Sequence, residues 1–131
     1  MISALVSGRI SGILAEKGSR VSKRQAKKRS RAEKRVDETL HLIGRRRGAV
    51  LKEEVWDEGN RVIKYSLVYV NPRLCGVDHG RVLGYDNGHD YHHRHFMGKI
   101  EEIEFESYEA LLNRFQQEVQ ELWRMEDEEK G

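Results

Sequence analysis

The 131-residue sequence has one cysteine, Cys75, and one proline, Pro72. A single cysteine excludes an internal disulfide framework and a cysteine-based zinc cluster within the chain. It fits a reducing compartment such as the cytoplasm. Nothing approaches the roughly 18–20 consecutive apolar residues of a membrane span. The apolar N-terminus is interrupted by serine, glycine and Arg9, which makes it a poor signal peptide. Hydrophobic residues are only 37% of the chain and charged residues 35%. That is polar, but sufficient for one domain around one modest core.

Charge is abundant and unevenly divided. Residues 1–50 hold 14 Lys/Arg against 4 Asp/Glu, a net of +10, and residues 51–131 hold 10 against 18, a net of −8. This is the pattern of a basic arm on an acidic body. Such an arm neutralises phosphates and releases their counterions; the alternative is that it packs against acidic residues of its own chain or a partner. Lys23, Arg24, Lys27, Lys28, Arg29 and Arg31 are the candidate phosphate contacts, with Arg45, Arg46 and Arg47 just before the first expected strand.

Spacing gives the organisation. Ile2, Leu5, Val6, Ile10, Ile13 and Leu14 recur as on one helix face, a stripe that needs cover from the main body, a partner helix or a second copy. The basic stretch that follows reads as solvated, with Val36, Leu40 and Ile43 closing a helix at Gly44. Residues 1–44 are therefore expected to be a helical, strongly basic extension. The texture then changes. "GAVLKEEVWD" and "RVIKYSLVYV" read as a hairpin about residues 57–60, "RVLGYDN" as a third strand, and residues 89–106 as one bent strand or two. Ser107 caps a helix whose Leu111, Leu112, Phe115, Val119, Leu122 and Trp123 form one stripe. The expected fold class is α+β: N-terminal helices, an antiparallel sheet of four to five strands packed by the C-terminal helix over residues 45–125, and an acidic tail over 126–131 that frays.

Four histidines (His89, His92, His93 and His95) fall within seven residues beside Asp86, Asn87, Asp90 and Arg94. Strand alternation places His89, Tyr91, His93 and His95 on one face, and Asp90, His92, Arg94 and Phe96 on the other. With Phe96 toward the core, the imidazole face is expected to be the wet one. Three chemistries compete. Imidazoles suit the proton transfers of metal-free RNA cleavage, with Arg94 or Lys99 stabilising the phosphorane. Histidine with aspartate also makes first-row metal sites, although no established zinc spacing is present. The third reading is a polar sheet edge that only hydrogen-bonds.

Three pieces of the sequence resemble the TumE-type toxins of bacterial type II toxin–antitoxin modules, in order and in spacing. They are Tyr85-Asp86-Asn87, His93-Arg94-His95, and Phe105, Ser107, Glu109, Ala110 and Leu111 at the helix start. The resemblance covers about residues 45–125 and leaves the basic N-terminal segment as an atypical extension. It implies a cytoplasmic toxin whose partner is an antitoxin, often a helix-turn-helix protein. RNA is the target expected of such small toxins. On this reading the protein is a metal-independent endoribonuclease without cofactor. His93 and His95 are its acid–base pair, Arg94 or Lys99 holds the phosphate, and Asp86 orients an imidazole. The alternative is a non-catalytic RNA- or DNA-binding protein, or a nucleoprotein subunit, that binds through the basic arm, with self-association through the N-terminal helix.

Overall fold

The computed structural model describes residues 32–130, together with the backbone of residues 18–22. Seven strands form one antiparallel sheet in simple sequence order: β1 (Gly18–Ser22), β2 (Glu33–Leu42), β3 (Val50–Glu58), β4 (Arg61–Val70), β5 (Arg81–Asp86), β6 (His93–Phe96) and β7 (Lys99–Glu102). The six strands from Glu33 to Glu102 carry the described side chains, and β1 adds to one edge by backbone pairing. Among the described residues one α-helix, α1 (Tyr108–Lys130), packs on one face. No described helix is long and apolar enough to cross a membrane.

Up-and-down order follows from short connections between strands of alternating pattern. Leu51, Glu53, Val55 and Asp57 of β3, and Tyr65, Leu67 and Tyr69 of β4, are buried at every second position. Glu58 pairs with Arg61 across a two-residue turn whose Gly59 has φ +68°, a left-handed conformation that glycine adopts without steric cost. Residues 89–106 divide in two: β6 and β7 meet at Met97-Gly98, both at positive φ, and the chain then leaves the sheet toward α1.

The sheet is larger than the four or five strands expected, and the helix ending at Gly44 is not found. Val36, Leu40 and Ile43 satisfy a helical spacing. However, Glu38, Leu40 and Leu42 are the buried positions, a period of two, and Glu38 and Leu40 pair with Glu53 and Leu51 of β3. Only the pairing with β3 separates these two patterns, because a short apolar set fits either period. The Ile2–Leu14 stripe and the basic residues 23–31 lie outside the described residues.

The core lies between α1 and the near face of β2–β5. Leu111, Leu112, Phe115 and Val119 are buried against Leu51, Leu67, Leu83 and Tyr85. Each such side chain contributes about 1.5–3 kcal/mol. Phenol and indole groups tie the two layers. Tyr108 donates to Glu53 (2.7 Å), Tyr85 to Glu118 (2.5 Å), and Trp123 Nε1 to Tyr69 (3.0 Å). Ser107 Oγ accepts from Ala110 N–H at 3.0 Å, the cap anticipated from sequence. The acidic tail does not fray where expected. The helix runs on to Lys130, with Arg46 and Arg45 bound to Asp127 at 2.9 and 3.2 Å and Arg46 stacked over Trp123.

Candidate functional site

Residues that face away from α1 build the site. In the register, Asp86 lies opposite His93 and Gly84 opposite His95. Strand alternation therefore places Asp86, His93 and His95 together on the far face of the sheet. Asp86 bridges the two rings: Oδ1 is 3.0 Å from His93 Nε2, and Oδ2 is 3.3 Å from His95 Nε2. Gly88 N–H also donates to Oδ1 at 2.9 Å. The rings meet edge to face at 4.8 Å, and Tyr91 packs on His93 at 4.7 Å. The histidine face is not wet. His93 is 4% exposed and His95 8%, while the Asp86 side chain, at 24%, is the more open member.

The cation beside these imidazoles is Arg81, a residue that sequence reasoning missed. Its Nη2 lies 3.1 Å from His95 Nδ1, and Asp78 grips the guanidinium through Nε (2.8 Å) and Nη2 (3.1 Å). By parity with Leu83 and Tyr85, Arg81 would face the helix. A β-bulge intervenes: Tyr69 pairs with Leu83 but Val70 pairs with Arg81, leaving Val82 as the extra residue. The bulge turns Arg81 onto the histidine face. Gly84 leaves room for it, since a Cβ there would stand 2.9 Å from Arg81 Cδ.

Donor and acceptor rules assign the protons along this chain. An arginine only donates, so His95 Nδ1 accepts from Arg81, which leaves Nε2 as the nitrogen that carries hydrogen, facing Asp86 Oδ2 at 3.3 Å. Burial, then the neighbouring Arg81, pushes the His95 pKa below its ordinary value of 6.5, consistent with a neutral ring. His93 Nδ1 sits 3.1 Å from the Tyr91 carbonyl, which can only accept, and its Nε2 stands 3.0 Å from Asp86 Oδ1. Asp78 is held below the usual carboxylate range, first by its hydrogen bond from Arg81. The result is a continuous chain from Asp78 through Arg81, His95, Asp86 and His93 to the Tyr91 carbonyl.

Two histidines and a carboxylate whose ligating atoms lie within 4.8 Å of one another could also hold a first-row metal. Coordination through His95 Nε2 would require that nitrogen to lose its hydrogen and Nδ1 to gain one, directly against the Arg81 donor. The surroundings of His95 suit a hydrogen-bonded ring better than a ligand.

Other candidates lie elsewhere. Arg94 points to the helix side, where it binds Glu118 (3.1 Å) and donates to Tyr85 Oη (3.1 Å). Lys99 pairs with Phe96 and shares that side. Arg45 and Arg46 bind the end of α1, and the exposed Arg47 gives its carbonyl to Arg73. None of these meets the histidines. His92 turns to the helix side, stacked on Phe105 at 4.0 Å with Nδ1 2.8 Å from Tyr65 Oη. His89 is exposed in a short 3-10 turn over Gly88–Asp90, at φ +61°. Asn87 pins that turn to β4, accepting from Tyr65 N–H (3.1 Å) and donating to the Ile63 carbonyl (2.9 Å).

The fold and site thus define a small α+β domain with an aspartate-bridged histidine pair on the sheet face opposite its helix. A family model described as Toxin TumE matches residues 13–123, and the chain belongs to that toxin family. The match begins well before residue 45, the expected start of the resemblance, and takes in the basic segment, which is therefore not an extension foreign to the family. Curated proteins and solved structures gave no match.

Proposed function

We propose that this toxin-family protein, which by its family has a cognate antitoxin, acts on RNA as a metal-independent endoribonuclease at Asp86, His93 and His95. The observation that carries the reading is the Asp86 carboxylate shared by two imidazoles, with Arg81 at the end of the chain. Asp86 holds the His95 Nε2–H, which leaves Nδ1 as the basic nitrogen, the arrangement that orients a general base. Arg81 now covers Nδ1. A phosphate that draws Arg81 away would free Nδ1 to take the 2′-hydroxyl proton. The same guanidinium would then stabilise the charge developing on phosphorus. His93 returns a proton to the leaving 5′-oxygen, giving a 2′,3′-cyclic phosphate and a 5′-hydroxyl. Arg81, rather than Arg94 or Lys99, supplies the cation in this scheme. The basic residues 23–31 hold the strand, a helix-turn-helix protein serves as the antitoxin, and the cytoplasm is the site of action.

Burial of both rings favours a second reading: a non-catalytic nucleic-acid-binding protein in which the same chain of hydrogen bonds only stabilises the sheet. Growth inhibition by His93→Ala and His95→Ala separates the two, with circular dichroism as the check on folding. Folded, non-toxic variants and RNA ends carrying cyclic phosphate support the ribonuclease. Folded variants of undiminished toxicity refute it.

A further inference from the structure

Trp56 lies on the same sheet face as the histidines, two strands from Asp86. It pairs with Lys34 of β2 and Lys64 of β4, and its ring lies between the two ammonium groups, 4.9 and 4.6 Å from the centroid. The two lysines are not equivalent. Lys34 is held by Glu54 (3.0 Å) and Asp37 (3.2 Å). Among the described residues no carboxylate pairs with Lys64, which is exposed. The Lys64 side of the indole is therefore the side that can open. An anion that recruits the ammonium uncovers an aromatic face at the same step.

The surroundings select a polyanion. Residues 23–31 contain six Lys/Arg and no Asp/Glu. In the sequence they precede β2, whose second residue, Lys34, is the pairing partner of Trp56. In the other direction, Trp56 is two residues along the sheet from the row in which Glu54, Ser66 and Asp86 are neighbours. With strands about 4.8 Å apart and a rise of about 3.4 Å per residue, Trp56 and Asp86 are roughly 12 Å apart. One strand of nucleic acid can touch both. An aromatic ring flanked by cations reads unstacked bases and is closed to duplex.

We propose that this sheet face binds single-stranded RNA. One base stacks on Trp56 in place of Lys64, Lys64 moves to the adjacent phosphate, and the strand crosses β4 toward Asp86. The proposal rests on RNA being the target of the histidine site and adds the surface that holds it.

The test is a fluorescence titration of the full-length protein with a 2′-O-methyl oligouridylate, which lacks the nucleophile for cleavage. Single-stranded oligonucleotide will quench tryptophan emission, and a duplex of the same length will not. Trp56→Phe will abolish the quenching while retaining most of the affinity, because Trp123 lies on the helix side and phenylalanine still stacks. Trp56→Ala will weaken binding by roughly 5- to 150-fold, the range that base–aromatic stacking supplies. Lys64→Ala will lower the slope of log affinity against log salt by about 0.7, one single-strand phosphate. Quenching that survives in Trp56→Phe, unchanged affinity in Trp56→Ala, equal binding of duplex, or no binding at all overturns the proposal. Binding through Trp56 alongside undiminished toxicity of the histidine variants would refute the acid–base scheme alone. Loss of toxicity in those variants without oligonucleotide binding would refute this surface alone.

Discussion

Replacing Asp86 by asparagine changes one atom and strains the histidine network at one point. The carboxylate accepts from Gly88 N–H (2.9 Å) at Oδ1, and it stands at charge-pair distance from His93 Nε2 (3.0 Å) at Oδ1 and His95 Nε2 (3.3 Å) at Oδ2. The amide has a single acceptor oxygen. With that oxygen at the Oδ1 position, its NH2 group confronts the His95 Nε2–H. His95 cannot present a lone pair there, because its Nδ1 already accepts from Arg81. With the amide reversed, the NH2 group confronts Gly88 N–H. Either way at least one charge-assisted interaction with the carboxylate is lost. Such an interaction is worth about 1.5–3 kcal/mol. With an m-value of about 2 kcal/mol/M, the urea midpoint should fall by roughly 1 M. The fold should survive, since no core volume changes. Urea unfolding followed by circular dichroism gives the stability, and ¹⁵N-resolved spectra of the imidazoles report the His95 tautomer. Growth inhibition should be lost. An unchanged midpoint together with a His95 ring carrying its hydrogen on Nδ1 would refute the donor–acceptor assignment and reopen the metal reading.

Three further outcomes can be measured. The first concerns pH. Burial and then Arg81 lower the pKa of His95, and burial and then His93 lower that of His92. The unfolded chain thus takes up protons first as the pH drops. This stability is complete above about pH 6.5 and is lost below it, as the folded rings titrate. His92→Phe, which keeps the stack on Phe105, should make the decline between pH 7 and 5 shallower; an unaltered slope would mean His92 takes no part in it. Arg94→Met should cost about 1–3 kcal/mol by freeing Glu118, yet leave growth inhibition in place, whereas Arg81→Met should abolish inhibition. The opposite pattern would return Arg94 to the role of site cation. Ser107→Ala removes the cap of α1 and should lower stability by about 1 kcal/mol in chemical denaturation, with toxicity unaffected.

Much of the fold is legible in local pattern. The β3–β4 hairpin, the β5 strand, the Ser107 cap and the apolar stripe of α1 follow from period and turn chemistry, and each depends on neighbours a few residues away. The reading of 36–43 as helix fails where local information is ambiguous. Lys, Arg, Glu and Leu are good helix formers, and the partners that make the segment a strand lie on β3. The acidic tail misleads for the same reason: its helix extends because Arg45 and Arg46 bind it from about 80 residues away.

The candidate site divides along the same line. Sequence alone determined that His93 and His95 share a face that excludes Arg94, because alternation along a strand is intrinsic to the extended backbone. The adjacency of Asp86 was a proposal from motif order, and the β5–β6 register gives it a distance. Three features belong to tertiary structure alone. Burial of the imidazoles depends on what packs over them. Arg81 reaches His95 only because a bulge at Val82 reverses its side and Gly84 leaves room for its stem. Trp56 stands on the histidine face only because β3 and β5 flank the same strand. Each is set by pairing between distant segments, which a one-dimensional pattern does not encode.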